Sequence, residues 1–130
     1  MERKIRVLVI EDEETFHTLW REILCESVPD IEYIPVYTID EAVIEFGKYG
    51  FGRGLDAIVL GACTPGNQLN TLPLLRFFRA ANDRVPIVAT SGTPLFQEIL
   101  LNAGCSHRAD MADVPRTVLA ILGEAMSSAA

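Results

Sequence analysis

Short apolar runs alternate along this chain with stretches in which apolar residues recur every three or four positions, a pattern that reads as strand and helix by turns. Lys4 to Ile10 is almost continuously apolar in its second half and stops at Glu11-Asp12-Glu13-Glu14, as a strand covered on both faces does. Phe16, Leu19, Trp20, Ile23 and Leu24 then recur at helical spacing, with Pro29-Asp30 just beyond. Ile31 to Val36 predicts a second strand. Thr38-Ile39-Asp40-Glu41 has the spacing of a capping box, opening a helix that carries Ala42, Val43 and Phe46. Leu55 to Leu60 and Val85 to Thr90 predict the third and fourth strands. Between them Thr71 caps a helix through Leu74, Leu75, Phe77 and Phe78, with Pro73 in its first turn. Thr93-Pro94 opens another helix, which stops at Gly104. His107 to Met111 predicts a fifth strand, and Asp113 caps a last helix whose Val114, Val118, Leu119, Ile121 and Leu122 face inward. One domain is expected over residues 1–126, with residues 127–130 as a frayed tail.

Five strands alternating with five helices call for a parallel sheet covered on both faces, and right-handed crossovers make it a doubly wound α/β domain. Ligands of such sheets bind at the carboxyl ends of the strands, beside the reversal in strand order. Those ends carry Glu11-Asp12, Gly61-Ala62-Cys63, Ser91-Gly92-Thr93 and Met111-Ala112. At 130 residues there is length for one core, and 49% hydrophobic against 22% charged residues excludes a disordered chain. No apolar run nears the ~20 residues that cross a bilayer, so a cytoplasmic protein without a membrane partner is expected. Eighteen acids against eleven bases repel a phosphate backbone, which argues against nucleic acid. Cys25, Cys63 and Cys105 are widely spaced and read as free thiols.

In their order and spacing these segments resemble the receiver domain of two-component response regulators, the module that accepts a phosphoryl group from a histidine kinase on an aspartate. Arg6 to Glu14 looks like the family's first strand and acidic pair, and Asp56 to Gly66 like its third strand and proline-glycine turn. Pro86 to Gly92 is similar to the fourth strand with its hydroxyl residue, and Asn102 to Cys105 to the approach to the fifth. The resemblance covers nearly the whole chain and implies a flavodoxin-like (βα)5 fold.

The family's chemistry needs a carboxylate to attack phosphorus, a divalent cation to neutralise charge, and a hydroxyl and an ammonium to hold the phosphoryl oxygens. The resemblance puts the acceptor at position 61, which is Gly61, and the lysine at position 111, which is Met111. Its aromatic switch residue falls on Arg108. Asp56 stands at the wrong end of the strand, and the two lysines, Lys4 and Lys48, lie away from the pocket. Glu11, Asp12 and Ser91 are what remains. The stretch from Pro65 to Leu74 is about two residues longer than the family's spacing, so the loop over the pocket takes another shape.

The expectation is a pseudo-receiver that acts in signal transduction by phosphorylation-independent protein contact and is not an enzyme. Its partner would be another signalling protein, with a homodimer as a further option. The surface would be that of the fourth helix, fifth strand and fifth helix, through Phe96, Gln97, Arg108 and Arg116. Two readings compete: a small flavodoxin-like binder of an anionic ligand, and a structural or dimerisation domain of a longer regulator. Four acids where a phosphate loop would stand weaken the first of these. Glu11 and Asp12 are weak candidates for Mg²⁺, but without a carboxylate at 61 neither a metal nor another cofactor is expected. Ser91-Gly92-Thr93-Pro94 offers hydroxyls and amides to an anion, although N-capping by Thr93 explains it equally. His17 and His107 have no partners at ligand spacing and are expected at the surface, and Cys63 has no cation nearby to activate it. The Leu74 to Phe78 run is more apolar than one helix face requires, and an exposed phenylalanine there would mark a partner surface.

Overall fold

Along the chain, β1 (Ile5–Ile10), α1 (Glu14–Ser27), β2 (Ile31–Val36), α2 (Ile39–Lys48), β3 (Ala57–Gly61) and α3 (Leu72–Ala81) are followed by β4 (Ile87–Thr90), α4 (Pro94–Asn102), β5 (His107–Ala109), a 3₁₀ turn (Met111–Asp113) and α5 (Val114–Ala129). This computed structural model describes residues 4–129, with side chains through residue 125. All strand pairs are parallel and the sheet order is β2-β1-β3-β4-β5. The strand order therefore reverses beside β1, and the carboxyl ends of β1 and β3 flank that point.

Alternation along the strands divides the interior into two layers. Leu8, Ile10, Ile58, Leu60 and Ile87 face α2, α3 and α4, where Phe46, Leu75, Phe78 and Leu100 meet them. Val7, Val9, Val59 and Val88 face α1 and α5, against Trp20, Leu24, Val118 and Leu122. Each buried Leu, Ile, Val or Phe contributes about 1.5–3 kcal/mol by leaving water.

Several boundaries differ from expectation for local reasons. β3 begins two residues late because Asp56 is tied to Arg6: the Arg6 amide donates to Asp56 Oδ2 and the Asp56 amide to the Arg6 carbonyl, both at 2.8 Å. β5 ends at Ala109, and Met111 belongs to the 3₁₀ turn. α5 runs on to Ala129, so residues 127–129, expected to fray, continue the helix, while residue 130 lies outside the described residues. The Thr38 cap forms, its hydroxyl accepting the Glu41 amide at 3.1 Å, while Glu41 Oε1 accepts the Tyr37 amide at 3.3 Å in place of the Thr38 amide a full box would use. Thr71 and Thr93 do not cap their helices through their side chains. Thr71 instead donates its hydroxyl to the carbonyls of Gly61 and Ala62, at 2.9 and 3.1 Å.

Candidate functional site

The carboxyl ends of β1, β3 and β4 and the turn after β5 surround a cavity of about 300 Å³ whose walls include Glu11, Asp12, Phe16, Cys63, Ser91 and Met111. Gly61, next to Ala62 of that wall, is buried. A β-carbon at Gly61 would stand 2.9 Å from the Ile10 carbonyl oxygen, 3.3 Å from Glu11 Oε1 and 3.4 Å from Thr64 Oγ1. The first of these is a backbone atom and closer than a carbon can sit without the strands moving apart. At the end of β3, then, position 61 has no room for a side chain unless the backbone shifts.

Glu11 fills part of that place. Its side chain is 5% exposed, and burial, with the hydrogen bond to Asp12, pushes its carboxyl up to about 7. The Glu13 amide donates to Glu11 Oε2 at 3.0 Å and acts in the other direction. The Thr64 hydroxyl, also buried, has no hydrogen-bond partner among the described residues.

The loop above is fixed by Asn70. Its Oδ1 accepts the Thr64 amide and its Nδ2 donates to the Thr64 carbonyl, each at 2.8 Å. The Asn70 amide donates to the Ala62 carbonyl at 3.0 Å. Gly66, at φ +97°, turns its amide toward Asp12 Oδ2 at 3.3 Å, a left-handed conformation that glycine adopts without strain. Opposite, the Thr90 hydroxyl donates to the Met111 sulfur at 3.3 Å, and Trp20 Nε1 donates to the Met111 carbonyl at 3.0 Å. No Lys or Arg is among the residues lining the cavity.

The fold is shared with solved structures of receivers. Receiver-containing NtrX from Brucella abortus superimposes with a TM-score of 0.76 at 18% identity, over 96% of this chain and 27% of that one. The isolated NtrX receiver domain from the same organism gives 0.73 at 18% identity, over 93% of this chain and 98% of that one. The chain has the receiver fold. A putative response regulator from Chloroflexus aurantiacus agrees, with a TM-score of 0.73 at 16% identity over 93% of this chain and 96% of that one. This chain thus spans about a quarter of that NtrX chain. No protein-family model and no curated protein matches the sequence.

Within this receiver fold Glu11, Asp12, Ser91 and Met111 come together as the sequence indicated, while Gly61 lies beside Glu11 and outside the lining of the cavity. Ser91 is buried and its hydroxyl accepts the Thr93 amide at 3.0 Å, so the Ser91-Thr93 corner is occupied by its own hydrogen bond. Two expectations fail. Gln97, expected on a partner surface, is 1% exposed; its Nε2 donates to the Ser91 carbonyl at 2.7 Å and to Asp110 Oδ1 at 2.9 Å. His17, expected at the surface, is wholly buried. Its Nε2 lies 2.8 Å from the Glu11 carbonyl, which only accepts, so Nε2 carries the proton and Nδ1 accepts from the Tyr33 hydroxyl at 2.9 Å. Burial holds the His17 imidazole below its ordinary pKa. Phe96 is half-buried against the core, whereas Arg108 and Arg116 are exposed, Arg116 paired with Asp113 at 2.7 Å. His107 is half-buried, its Nδ1 2.8 Å from the Ser106 hydroxyl.

Cys63 is pushed above its ordinary pKa by burial and then by Asp12 and Glu11, the opposite of an activated thiol. All three cysteines are free. No group of three metal-binding side chains occurs among the described residues, and no helix among them is long and apolar enough to cross a membrane.

Proposed function

We propose that this receiver fold is a pseudo-receiver, a signalling module that meets another signalling protein without being phosphorylated. The observation that carries the reading is position 61. Gly61 offers no nucleophile, and its β-carbon position is blocked by the Ile10 carbonyl at 2.9 Å, with Glu11 Oε1 next to it at 3.3 Å. Methionine at 111 adds that no ammonium waits for a phosphoryl oxygen.

The donor set also fits Mg²⁺ poorly. Glu11 holds its proton up to about pH 7, one of its oxygens already takes the Glu13 amide, and position 61 adds no third carboxylate. An anionic ligand is disfavoured by the carboxylates of Asp12 and Glu13 around a cavity that no Lys or Arg lines. The α4, β5 and α5 surface retains Arg108 as its exposed arginine without an ion pair among the described residues, and we assign it as a candidate anchor there.

Incubation with acetyl phosphate and Mg²⁺, followed by intact-mass measurement, tests the reading. No gain of a phosphoryl group is expected. A stable phosphoryl adduct mapping to Asp12 or another cavity acid would overturn it.

A further inference from the structure

At the end of the sheet opposite the cavity, the turns that lead into β3 and β4 meet around a shallow hollow of about 260 Å³, lined by Gly52, Arg53, Leu55, Asn82, Arg84 and Val85. Arg53 and Arg84 are exposed, while Leu55 and Val85 are buried. Asn82 clips the two turns together. Its Oδ1 accepts the Arg84 and Val85 amides, each at 2.9 Å, and its Nδ2 donates to the Phe51 carbonyl at 3.3 Å. A β-carbon at Gly52 would stand 2.9 Å from Asn82 Nδ2 and 3.0 Å from Phe46 Cε1, so glycine is what lets the turns come this close.

The turn after α2 leaves one amide over. Those of Tyr49, Gly50 and Phe51 return to the carbonyls of Glu45, Gly47 and Phe46. Gly52 comes next, at φ +92°, and its amide donates to no acceptor among the described residues although the residue is buried. Buried N–H groups are nearly always paired, so this one marks a place for an acceptor that the described chain does not supply. The charge around it is positive in a protein of net −7. Arg53 folds back on its turn, Nε donating to the Gly50 carbonyl at 3.2 Å. Behind the hollow, Arg79 Nη1 donates to the carbonyls of Asn82 at 3.3 Å and Val85 at 2.8 Å. None of the guanidiniums of Arg53, Arg79 and Arg84 pairs with a carboxylate among the described residues. Two acids stand in the same turns and neither lines the hollow: Asp56 takes the Arg6 amide on Oδ2, and Asp83 is exposed.

We infer that this hollow is an anion site for the phosphate group of a small phosphomonoester, held by the Arg53 and Arg84 guanidiniums and the Gly52 amide, with the organic part of the ester against Leu55 and Val85. A tetrahedral phosphate has oxygens enough for two guanidiniums and an amide together, whereas a carboxylate has two. An extended phosphate backbone would run beyond the hollow onto a surface of net negative charge. The site goes beyond the pseudo-receiver reading and does not depend on it, since it lies at the amino ends of the strands and shares no residue with the cavity.

Titration of the whole protein with phenyl phosphate at constant ionic strength, followed by amide chemical shifts, tests this. Saturable binding with a Kd of about 1 mM or tighter is expected, with the Gly52 amide among the largest shifts. Arg53→Ala/Arg84→Ala, checked for an unchanged melting temperature, should weaken binding at least about tenfold. Arg76→Ala removes an exposed arginine of α3 outside the hollow and should leave binding as it was. Inorganic phosphate should shift the same amides but bind more weakly, having no organic part to set on Leu55 and Val85. The inference falls if the shifts do not saturate, if they map to the acidic cavity, or if Arg76→Ala weakens binding as much as the double variant does. It falls equally if inorganic phosphate binds as tightly as the ester, or if a single-stranded oligonucleotide binds through the same arginines more tightly than either. These outcomes are distinct from that of the acetyl phosphate experiment, whose readout is a covalent gain in mass.

Discussion

His17 gives its Nε2 proton to the main-chain carbonyl of Glu11 across 2.8 Å, so the first helix holds the backbone of the residue whose side chain occupies the space beside Gly61. Two buried titratable groups therefore share one corner, and they respond to pH with opposite signs.

Glu11 keeps its proton up to about pH 7 in the folded protein, against an ordinary value of 4.5. The folded state binds that proton more tightly than the unfolded one, so stability falls as pH rises through this interval and is level above it. Glu11→Gln removes the titration and keeps an acceptor for the Glu13 amide. The variant should be more stable than the wild type at about pH 8, by roughly 1–3 kcal/mol, with the gap closing by about pH 5. Paired thermal melts at the two pH values measure it, and an unchanged gap would show that Glu11 titrates normally.

His17 acts the other way. Its pKa is lowered by burial, so the unfolded state binds the proton more readily and stability is lost as pH falls below the ordinary value of 6.5. In the wild type the Glu11 gain offsets this loss over the same interval. In Glu11→Gln the loss stands alone, and acid should destabilise that variant more steeply; adding His17→Gln should flatten the slope. A double variant as acid-sensitive as Glu11→Gln would assign the slope to another group.

Gly61→Ala tests the closure of β1 on β3. With the Ile10 carbonyl 2.9 Å from the new carbon, a cost of about 1–3 kcal/mol is expected. Gly61→Asp should cost more, because its carboxylate joins Glu11 and Asp12. Chemical denaturation gives both values, and an alanine variant as stable as the wild type would show that the strand ends part freely.

Asn70→Ala should release the cavity loop. It removes both side-chain hydrogen bonds to Thr64 and leaves a partly buried amide and carbonyl unpaired, at about 1–3 kcal/mol. Hydrogen exchange at the Thr64 amide should accelerate well beyond the change in global stability, and equal effects on the two would argue against a local clamp.

Much of this fold is legible in the sequence because strand faces alternate: Val7 and Val9 against Leu8 and Ile10 already assign the β1 side chains to two opposite layers. The cavity is legible where it depends on strand ends, as Glu11, Asp12, Ser91 and Met111 do. Polar residues with interior duties are not. His17 sits three residues before Trp20 and seven before Leu24, on the buried stripe of α1, and Gln97 three before Leu100 on α4. The apolar stripe is visible in both helices, yet its polar members look like surface residues. Their burial follows from a need the sequence does not display. Carbonyls at the carboxyl ends of the strands have left the sheet ladder and still require donors. His17 serves Glu11, Gln97 serves Ser91, and Thr71 serves Gly61 and Ala62. The same demand draws Thr71 away from its expected cap.

The close approach of the Ile10 carbonyl to Gly61 has a consequence for how such a domain can change over generations. One nucleotide separates a glycine codon from an aspartate codon, so loss of an acceptor is ordinarily a short step to retrace. Here glycine is the residue the backbone accepts at this place, and an aspartate would meet the Ile10 carbonyl 2.9 Å from its β-carbon and a pocket carrying methionine at 111. An acceptor here would have to be preceded by substitutions that move β1 and β3 apart and confer no advantage on their own. On the pseudo-receiver reading, the packing behind Gly61 works as a ratchet against gaining an acceptor at this place.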